Sequence, residues 1–424
     1  MKLRHTIAAL AAAATLFSLS ACASPSGSSS AGGTTTLTYQ YFNNQPAAIA
    51  ATKAIVADWN KANPKVHVNL VQAPADNLQD KLTTQFSGGV APDIIQNDAP
   101  SDILPFAGYL ADLNKLLPSK TIDDIDPAAK KSLTTGGKLI AAPTEVQTYL
   151  VFANKKLLEQ SGATIPTGDT MTWDTFEELA KQTTTDGVRG LTWGLKSPTS
   201  VFAYLGTGFG ATYFTGEGKD AKAVFGKAER QVPERVASMI KDGYIDPTGV
   251  TQSSSDVLAT FYGGKAAMTV AGSYQIANIE SEAPAGFDWV VLPALEGSKS
   301  ASQLAAPITL SVNAKSKNVQ AAADFVDFYM KGENLAKINL ADGQVPPTTS
   351  GLAALAKLTD GKNGWAQVLA SGKNLVTPAF NTLTKYNNWK TTVATPGYQQ
   401  FLAGQISSDQ LSKQLVDGWA QLNQ

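Results

Sequence analysis

The apolar and polar positions of the chain set out a repeating rhythm near its start. Leu37 to Phe42 (LTYQYF) reads as a strand, and Ala47 to Asn60 carries apolar residues at helical spacing. Pro64 punctuates before the alternating run Val66 to Val71, which predicts a second strand with His67 on its exposed face. A helix is predicted over Leu78 to Ser87, stopped by Gly88-Gly89, and Pro92-Asp93-Ile94-Ile95 then gives a short buried strand. Strand, helix, strand, helix, strand in this order predicts a doubly wound α/β lobe on a parallel sheet covered on both faces. A second rhythm begins near Thr144, with a strand around Val151-Phe152 and a helix from Lys155 to Ser161. Thr172 caps a further helix whose first turn carries Asp174 and Glu177, acids that complement the helix dipole. Val319 to Lys331 and Ser408 to Leu422 read as amphipathic helices.

Ahead of this body the pattern is different. A basic start, Met1-Lys2-Leu3-Arg4-His5, leads into an apolar run from Ile7 to Leu19, too short to span a bilayer comfortably and therefore read as the core of a signal peptide. It closes on Leu19-Ser20-Ala21-Cys22, which resembles the lipobox of bacterial lipoproteins and implies a diacylated Cys22 as the mature N-terminus. Two or more acyl chains hold a membrane stably where one does not. Ala23 to Thr36 (ASPSGSSSAGGTTT) buries too little apolar surface to order itself and reads as a flexible tether.

Composition narrows the chemistry. Cys22 is the only cysteine of the 424 residues, which excludes an intrachain disulfide, a thiolate metal cluster and a cysteine redox motif from the mature body. With 2 histidines, one in the signal, a histidine-centred triad or zinc site has only His67 to draw on, and no metal site or cofactor is expected. A net charge of -1 with no basic stripe gives no footprint for nucleic acid.

Several segments, taken in order, are similar to the family 1 bacterial extracellular solute-binding proteins, the class that includes maltose-binding protein. Gly88 to Ile95 (GGVAPDII) resembles the family's pattern closing a first-lobe strand, and Leu139 to Pro143 with Phe152-Ala153-Asn154-Lys155 resembles its crossing segment, with Ala153 where tyrosine is common. Thr172 to Phe176 (TWDTF) resembles a helix start of the family. Phe261 to Tyr274 (FYGGKAAMTVAGSY) is the sharpest match; Phe287 to Pro293 and Ala314 to Phe328 follow in order.

The resemblance implies two α/β lobes of the type II periplasmic-binding-protein kind, joined by crossing hinge segments and closing on a ligand. Residues 1–21 would be the signal and 22–36 the tether; 37–143 plus 305–341 would form one lobe, and 144–304 plus 342–424 the other. It further implies a sugar or oligosaccharide ligand, permease subunits with their ATPase as partners, a lipid-anchored place on the outer face of the bacterial cytoplasmic membrane, and a monomeric unit. No enzymatic activity is expected.

A sugar presents hydroxyls that need paired donors and acceptors, and weakly polar faces that stack on rings. Asn43, Asn44 and Gln45 follow the first strand at the sheet edge where α/β folds bind ligands, and Asn97 and Asp98 follow the third. Glu145 and Gln147 lie just past Pro143 in the crossing segment. Tyr274 stands where the family places a stacking ring. Trp193 is a ring for the cleft or for the lobe core, as are Phe209 and Tyr213 in the glycine-rich run Gly206 to Tyr213, and Tyr386 and Trp389 ahead of the last helix. Trp59, Trp365 and Trp419 fall in helical segments and are expected in the core or on a lobe surface. The competing function is a secreted glycoside hydrolase, which needs two carboxyl groups roughly 5 to 10 Å apart, with Asp98 and Glu145 as the available pair.

Overall fold

The computed structural model describes residues 34–43, 45–74 and 78–424, together with the backbone alone at Ala379 and Asn381. The signal, Cys22, most of the tether and Asn44 lie outside the described residues. Two sheets organise the chain, and their strands, in chain order, are β1 (Thr35–Tyr41), β2 (Val66–Gln72), β3 (Ile94–Asn97), β4 (Ala142–Glu145), β5 (Tyr149–Asn154), β6 (Arg189–Thr192), β7 (Ala266–Gly272), β8 (Trp289–Leu292) and β9 (Ile308–Val312).

The first sheet has the order β2-β1-β3-β9-β4 and the second β8-β5-β7-β6. Neither is the purely parallel sheet that the rhythm predicts. β1, β2 and β3 are parallel, but β9 runs antiparallel to both β3 and β4. In the second sheet β5 is antiparallel to β7 and β8, while β7 and β6 are parallel. The physical reason is connectivity: β5 and β9 are each entered from the other lobe, so they run away from the gap between the lobes, whereas β3, β6 and β7 run towards it.

Local sequence explains the helices that flank these sheets. Pro46 occupies the first turn of the helix Pro46–Ala62, where its missing N–H costs nothing, and Ala48, Thr52, Ile55, Val56 and Trp59 form its buried stripe. In Trp173–Thr183 the Thr172 hydroxyl accepts from the Thr175 N–H at 3.1 Å. The last helix, Ser408–Leu422, is closed by a reciprocal capping box between Ser407 and Gln410 and buries Leu411, Leu415 and Trp419 at four-residue spacing. His67 is exposed on β2, as its alternating stretch predicts.

One apolar cluster fills the first lobe around Tyr39, Trp59, Phe325 and Ile338. A larger one fills the second around Trp173, Phe202, Phe214, Trp389 and Trp419. The two lobes are tied by paired crossing segments: Val146 and Val345 exchange two backbone hydrogen bonds of 2.9 Å each. The Asn339 amide adds a bond of 2.9 Å to the Thr144 carbonyl.

Candidate functional site

The strand ends that run towards the interlobe gap deliver polar loops there, and between them lies a cavity of about 330 Å³. From the first lobe, the turn after β3 and the short helix Pro100–Ile103 supply Asp98, Ser101 and Asp102. The crossing segments supply Gln147, Tyr149, Ala306, Ile308 and Gln344 as the base. The second lobe supplies Trp193, Gly194, Lys196, Ser197, Ser200, Tyr204, Ser253, Ser254, Tyr274, Tyr386 and Lys390.

Several of these positions depend on close backbone contact. A β-carbon on Gly194 would lie 2.4 Å from the Ser253 carbonyl and the Ser254 nitrogen, so only glycine lets that loop press against the end of β6 and bring Ser253 and Ser254 to the wall. The Tyr274 ring, half-buried after β7, is held by its hydroxyl 2.5 Å from Ser254 Oγ. Gln275 Nε2 donates to Ser254 Oγ at 3.3 Å and Ser255 Oγ at 3.1 Å, which fixes that loop in turn.

Negative charge is concentrated on the first-lobe side, with Lys196 and Lys390 on the second. Asp98 reaches the solvent of the cavity from deep within the cleft, and burial by the surrounding protein raises its carboxyl above the usual carboxylate range, against the pull of the Lys390 ammonium. Burial likewise pushes Asp102 up to about 6, with the Asp98 charge adding to the rise and Lys390 and the Asn387 hydrogen bond opposing it. Asn387 Nδ2 donates to Asp102 Oδ1, and Ser101 Oγ donates to Asn387 Oδ1 at 3.4 Å. These bonds join the first lobe to the C-terminal part of the second across the mouth of the cavity. An acid that binds its proton at about 6, as Asp102 does, serves as donor as well as acceptor, the pairing that sugar hydroxyls or other mixed hydrogen-bonding ligands require.

The residues singled out from sequence fall into two groups. Asp98, Gln147, Trp193, Tyr274 and Tyr386 border the cavity. Trp193 does so while only 1% exposed, edge-on to Phe202, so it belongs to the lobe core as well. The other described ones lie elsewhere. Phe209 packs on Trp173 at 5.9 Å with the Arg235 guanidinium over its ring, and Tyr213 is buried with its hydroxyl donating to the Phe202 carbonyl at 2.8 Å. Their glycine-rich run is a packing corner: a β-carbon on Gly206 would meet the Tyr213 hydroxyl at 2.0 Å, and one on Gly208 the Ser300 carbonyl at 2.8 Å.

Trp389 points into the second lobe's core, where its indole N–H donates to the Leu415 carbonyl at 2.9 Å. Asn97 is buried in the sheet because strand side chains alternate, so its neighbour Asp98 alone turns to the cavity. Asn43 and Gln45 follow β1, which β3 separates from the crossing strands; Asn43 offers its carbonyl to Gln72 Nε2 at 2.8 Å, and Gln45 precedes the first helix. Glu145 lies fully buried in β4, beneath the cavity and off its wall.

Asp102, Lys390 and Gln344 are among the cavity groups that sequence reading passed over, as are Tyr149, Tyr204 and Lys196. Lys390 falls four residues after Tyr386 on one helical stretch, a one-turn spacing that is the available signal for it, whereas Asp102 lies on the single turn Pro100–Ile103 and has none. Gln344 follows the helix-ending Gly343, a position with no pattern of its own.

Two α/β lobes, paired crossing segments and a polar cavity between them define a type II periplasmic binding fold. Residues 26–334 match the family described as bacterial extracellular solute-binding protein, and the chain belongs to that family. An uncharacterized lipoprotein in the oleD 5′ region of Streptomyces antibioticus is 33% identical over 401 residues, covering 93% of this chain and 88% of that one. The multiple sugar-binding protein of Streptococcus mutans is 24% identical over 323 residues, covering 72% of this chain and 74% of that protein. Among solved structures, the GacH receptor of Streptomyces glaucescens, known unliganded and with acarbose, superposes with a TM-score of 0.75 at 22% identity over 92% of this chain and 98% of its own. Maltose-bound MalE3 of T. maritima gives 0.77 at 19% identity, covering 92% of this chain and 100% of that one. The family places the chain among extracytoplasmic solute receptors of ATP-driven importers and not among the hydrolases.

Proposed function

We infer that the protein binds a sugar or oligosaccharide in the cavity between its lobes, as a lipid-anchored receptor that hands it to a membrane permease driven by a separate ATPase. The observation that carries this reading is the wall itself: Asp98, Asp102, Gln147 and Gln344 face the same space as Trp193, Tyr149, Tyr204, Tyr274 and Tyr386. Acids and amides answer hydroxyls, and rings answer the C–H faces of a pyranose. A volume of about 330 Å³ lies at the small end of ligand sites, which run from about 300 to 1,000 Å³. The lobes proposed are 37–143 plus 305–341 and 144–304 plus 342–424, with closure as the step that brings ligand against both. The carboxyl pair named for the hydrolase reading, Asp98 and Glu145, does not share the wall, since Glu145 is off it.

Tyr274→Ala tests the site. Stacking is worth about 0.5–1.5 kcal/mol beyond area burial, so affinity for maltose or maltotriose, read by titration calorimetry, should fall about tenfold with little change in melting temperature. Unchanged affinity with a large drop in melting temperature would place the ring in the fold and not in binding.

Membrane attachment through Cys22 is the second part of the proposal, and the likeness to a lipoprotein supports it. Cys22→Ala should move the protein from the membrane pellet to the soluble fraction or leave its signal uncut. A normally processed variant still in the pellet would exclude the acyl anchor.

A further inference from the structure

β5 leaves the first crossing segment at Tyr149, and the backbone of that residue meets no neighbouring strand on one side. Strand residues turn their N–H and C=O to the two sides in alternation, and Thr148 turns to β7, where the Ser273 N–H donates to its carbonyl at 2.7 Å. Tyr149 therefore turns to the β8 side. The ladder ends early there. Leu292, opposite Val151, is the last residue of β8, Pro293 follows it, and Ala294 gives its N–H to the Asp169 carbonyl at 3.1 Å. No strand is left to meet the N–H and C=O of Tyr149, two groups that are costly to bury unpaired.

A side chain from far along the chain takes the strand's place. Gln303 Oε1 accepts from the Tyr149 N–H at 2.8 Å, and Gln303 Nε2 donates to the Tyr149 carbonyl at 2.9 Å. The two bonds fix which way the amide points, because turning it over would set donor against donor and acceptor against acceptor. Gln303 is 1% exposed and stands off the cavity wall. It is itself held by the second lobe: Gln303–Leu304 runs parallel to Leu375–Val376, and the Gln303 N–H donates to the Asn374 carbonyl at 3.1 Å. The same short strand packs against the helix Pro198–Gly206.

The Tyr149 ring, by contrast, borders the cavity, half-buried and T-shaped at 5.7 Å to Tyr204, a wall ring carried by that helix. Gln303 thus supports this corner of the wall from behind. Its strand backs the helix that carries Tyr204, and its amide holds the backbone that carries Tyr149. The first lobe ties the crossing segment at Thr144, whose carbonyl accepts from Asn339 at 2.9 Å and whose hydroxyl donates to the Ile308 carbonyl at 3.2 Å. Tyr149 stands just beyond the stretch between the lobes, where a ring on a loosely held backbone would shift with every bend of the hinge.

We propose that Gln303 is a positioning residue of the binding site: its side-chain amide serves as the missing strand rung for Tyr149 and so fixes the Tyr149 ring against Tyr204 on the cavity wall. The rung stands on its own geometry; that the ring meets a sugar rests on the reading above.

The experiment has two arms on the full chain. In the first, hydrogen exchange of the ligand-free protein is followed by NMR. The Tyr149 amide proton should be protected to within about tenfold of the Val151 amide, which β8 pairs. Gln303→Leu keeps the apolar bulk and removes both bonds. Tyr149 should then exchange about tenfold or more faster with Val151 unchanged, and the NOE between the Tyr149 and Tyr204 rings should weaken. An unprotected Tyr149 amide in the wild type, or unaltered exchange in Gln303→Leu, overturns the rung. Should Gln303→Leu fail to fold, Gln303→Asn, one methylene too short to make the rung, is measured in its place with the same expectations.

In the second arm, maltotriose affinity is measured around a double-mutant cycle. Gln303→Leu should weaken binding about tenfold and Tyr149→Ala about tenfold or more, and the double variant should bind no more weakly than Tyr149→Ala alone, because Gln303 acts only through that ring. Additive losses overturn the positioning role and leave Gln303 as support for the fold. Should the amide be protected in the wild type and released in the variant while maltotriose does not bind, the rung stands and the sugar reading falls.

Discussion

Trp389→Ala should lower folding stability by about 3–5 kcal/mol, read as a fall in urea midpoint with an unchanged slope. The indole is 4% exposed, lies T-shaped to Phe214 at 5.1 Å and near-perpendicular to Trp419 at 6.3 Å, and spends its one donor on the Leu415 carbonyl of the last helix. Alanine removes the ring and leaves a cavity inside the cluster that anchors that helix to the second lobe. Sugar affinity should change far less, through Tyr386 alone, whose ring lies tilted beside Trp389 at 6.0 Å and also borders the cavity. A stable Trp389→Ala protein with lost binding would return the ring to the cleft.

This contrast between neighbouring residues shows where sequence reading stops. Tyr386, Trp389 and Lys390 sit on one helical stretch, and a ring beside a polar run is compatible with either a wall or a core. The choice is made by Phe214 and Leu415, residues distant in sequence that no local pattern connects to Trp389. The same limit applies to Phe209 and Tyr213: glycines beside rings suggest a pliable ligand loop, yet Gly206 and Gly208 are there because the Tyr213 hydroxyl and the Ser300 carbonyl occupy the space of their β-carbons, and Gly210 because its backbone is left-handed at φ 85°.

What was legible is local or collinear. The Thr172 cap and the amphipathic last helix with its four-residue stripe of Leu411, Leu415 and Trp419 are written in adjacent residues, and the structure forms them where the pattern puts them. The family, and with it the two-lobed fold, was legible from motifs in order along the chain. The direction of β5 and β9 was not, because a strand's sense in a sheet depends on which lobe the chain arrives from. Asp98 was found and Asp102 missed for a related reason. A strand end is a known address for ligand groups, whereas the helix Pro100–Ile103 is a single turn with no periodic signal.

Gly343→Ala should damage both the fold and the site, with a stability loss of about 2–5 kcal/mol and weakened sugar binding in whatever protein remains folded. Two costs combine. Gly343 ends the helix Gly332–Asp342 at φ 66°, a left-handed conformation that costs an L-residue about 1–2 kcal/mol. A β-carbon there would also lie 2.6 Å from the Ser273 carbonyl and 2.8 Å from Tyr274 Cα, an overpacking of backbone against backbone worth about 1–3 kcal/mol. Relief requires the crossing segment and the turn after β7 to move apart. Those two pieces carry Gln344 and Tyr274, so separation shifts two cavity groups at once. Gly343→Asn divides the costs, because asparagine tolerates the left-handed region but keeps the β-carbon. If the close approach dominates, Asn and Ala should be equally damaging by urea unfolding and by calorimetric titration with maltotriose. If Asn instead restores wild-type stability and affinity, the glycine serves the helix end alone and its contact with the Ser273-Tyr274 turn is immaterial to the cleft.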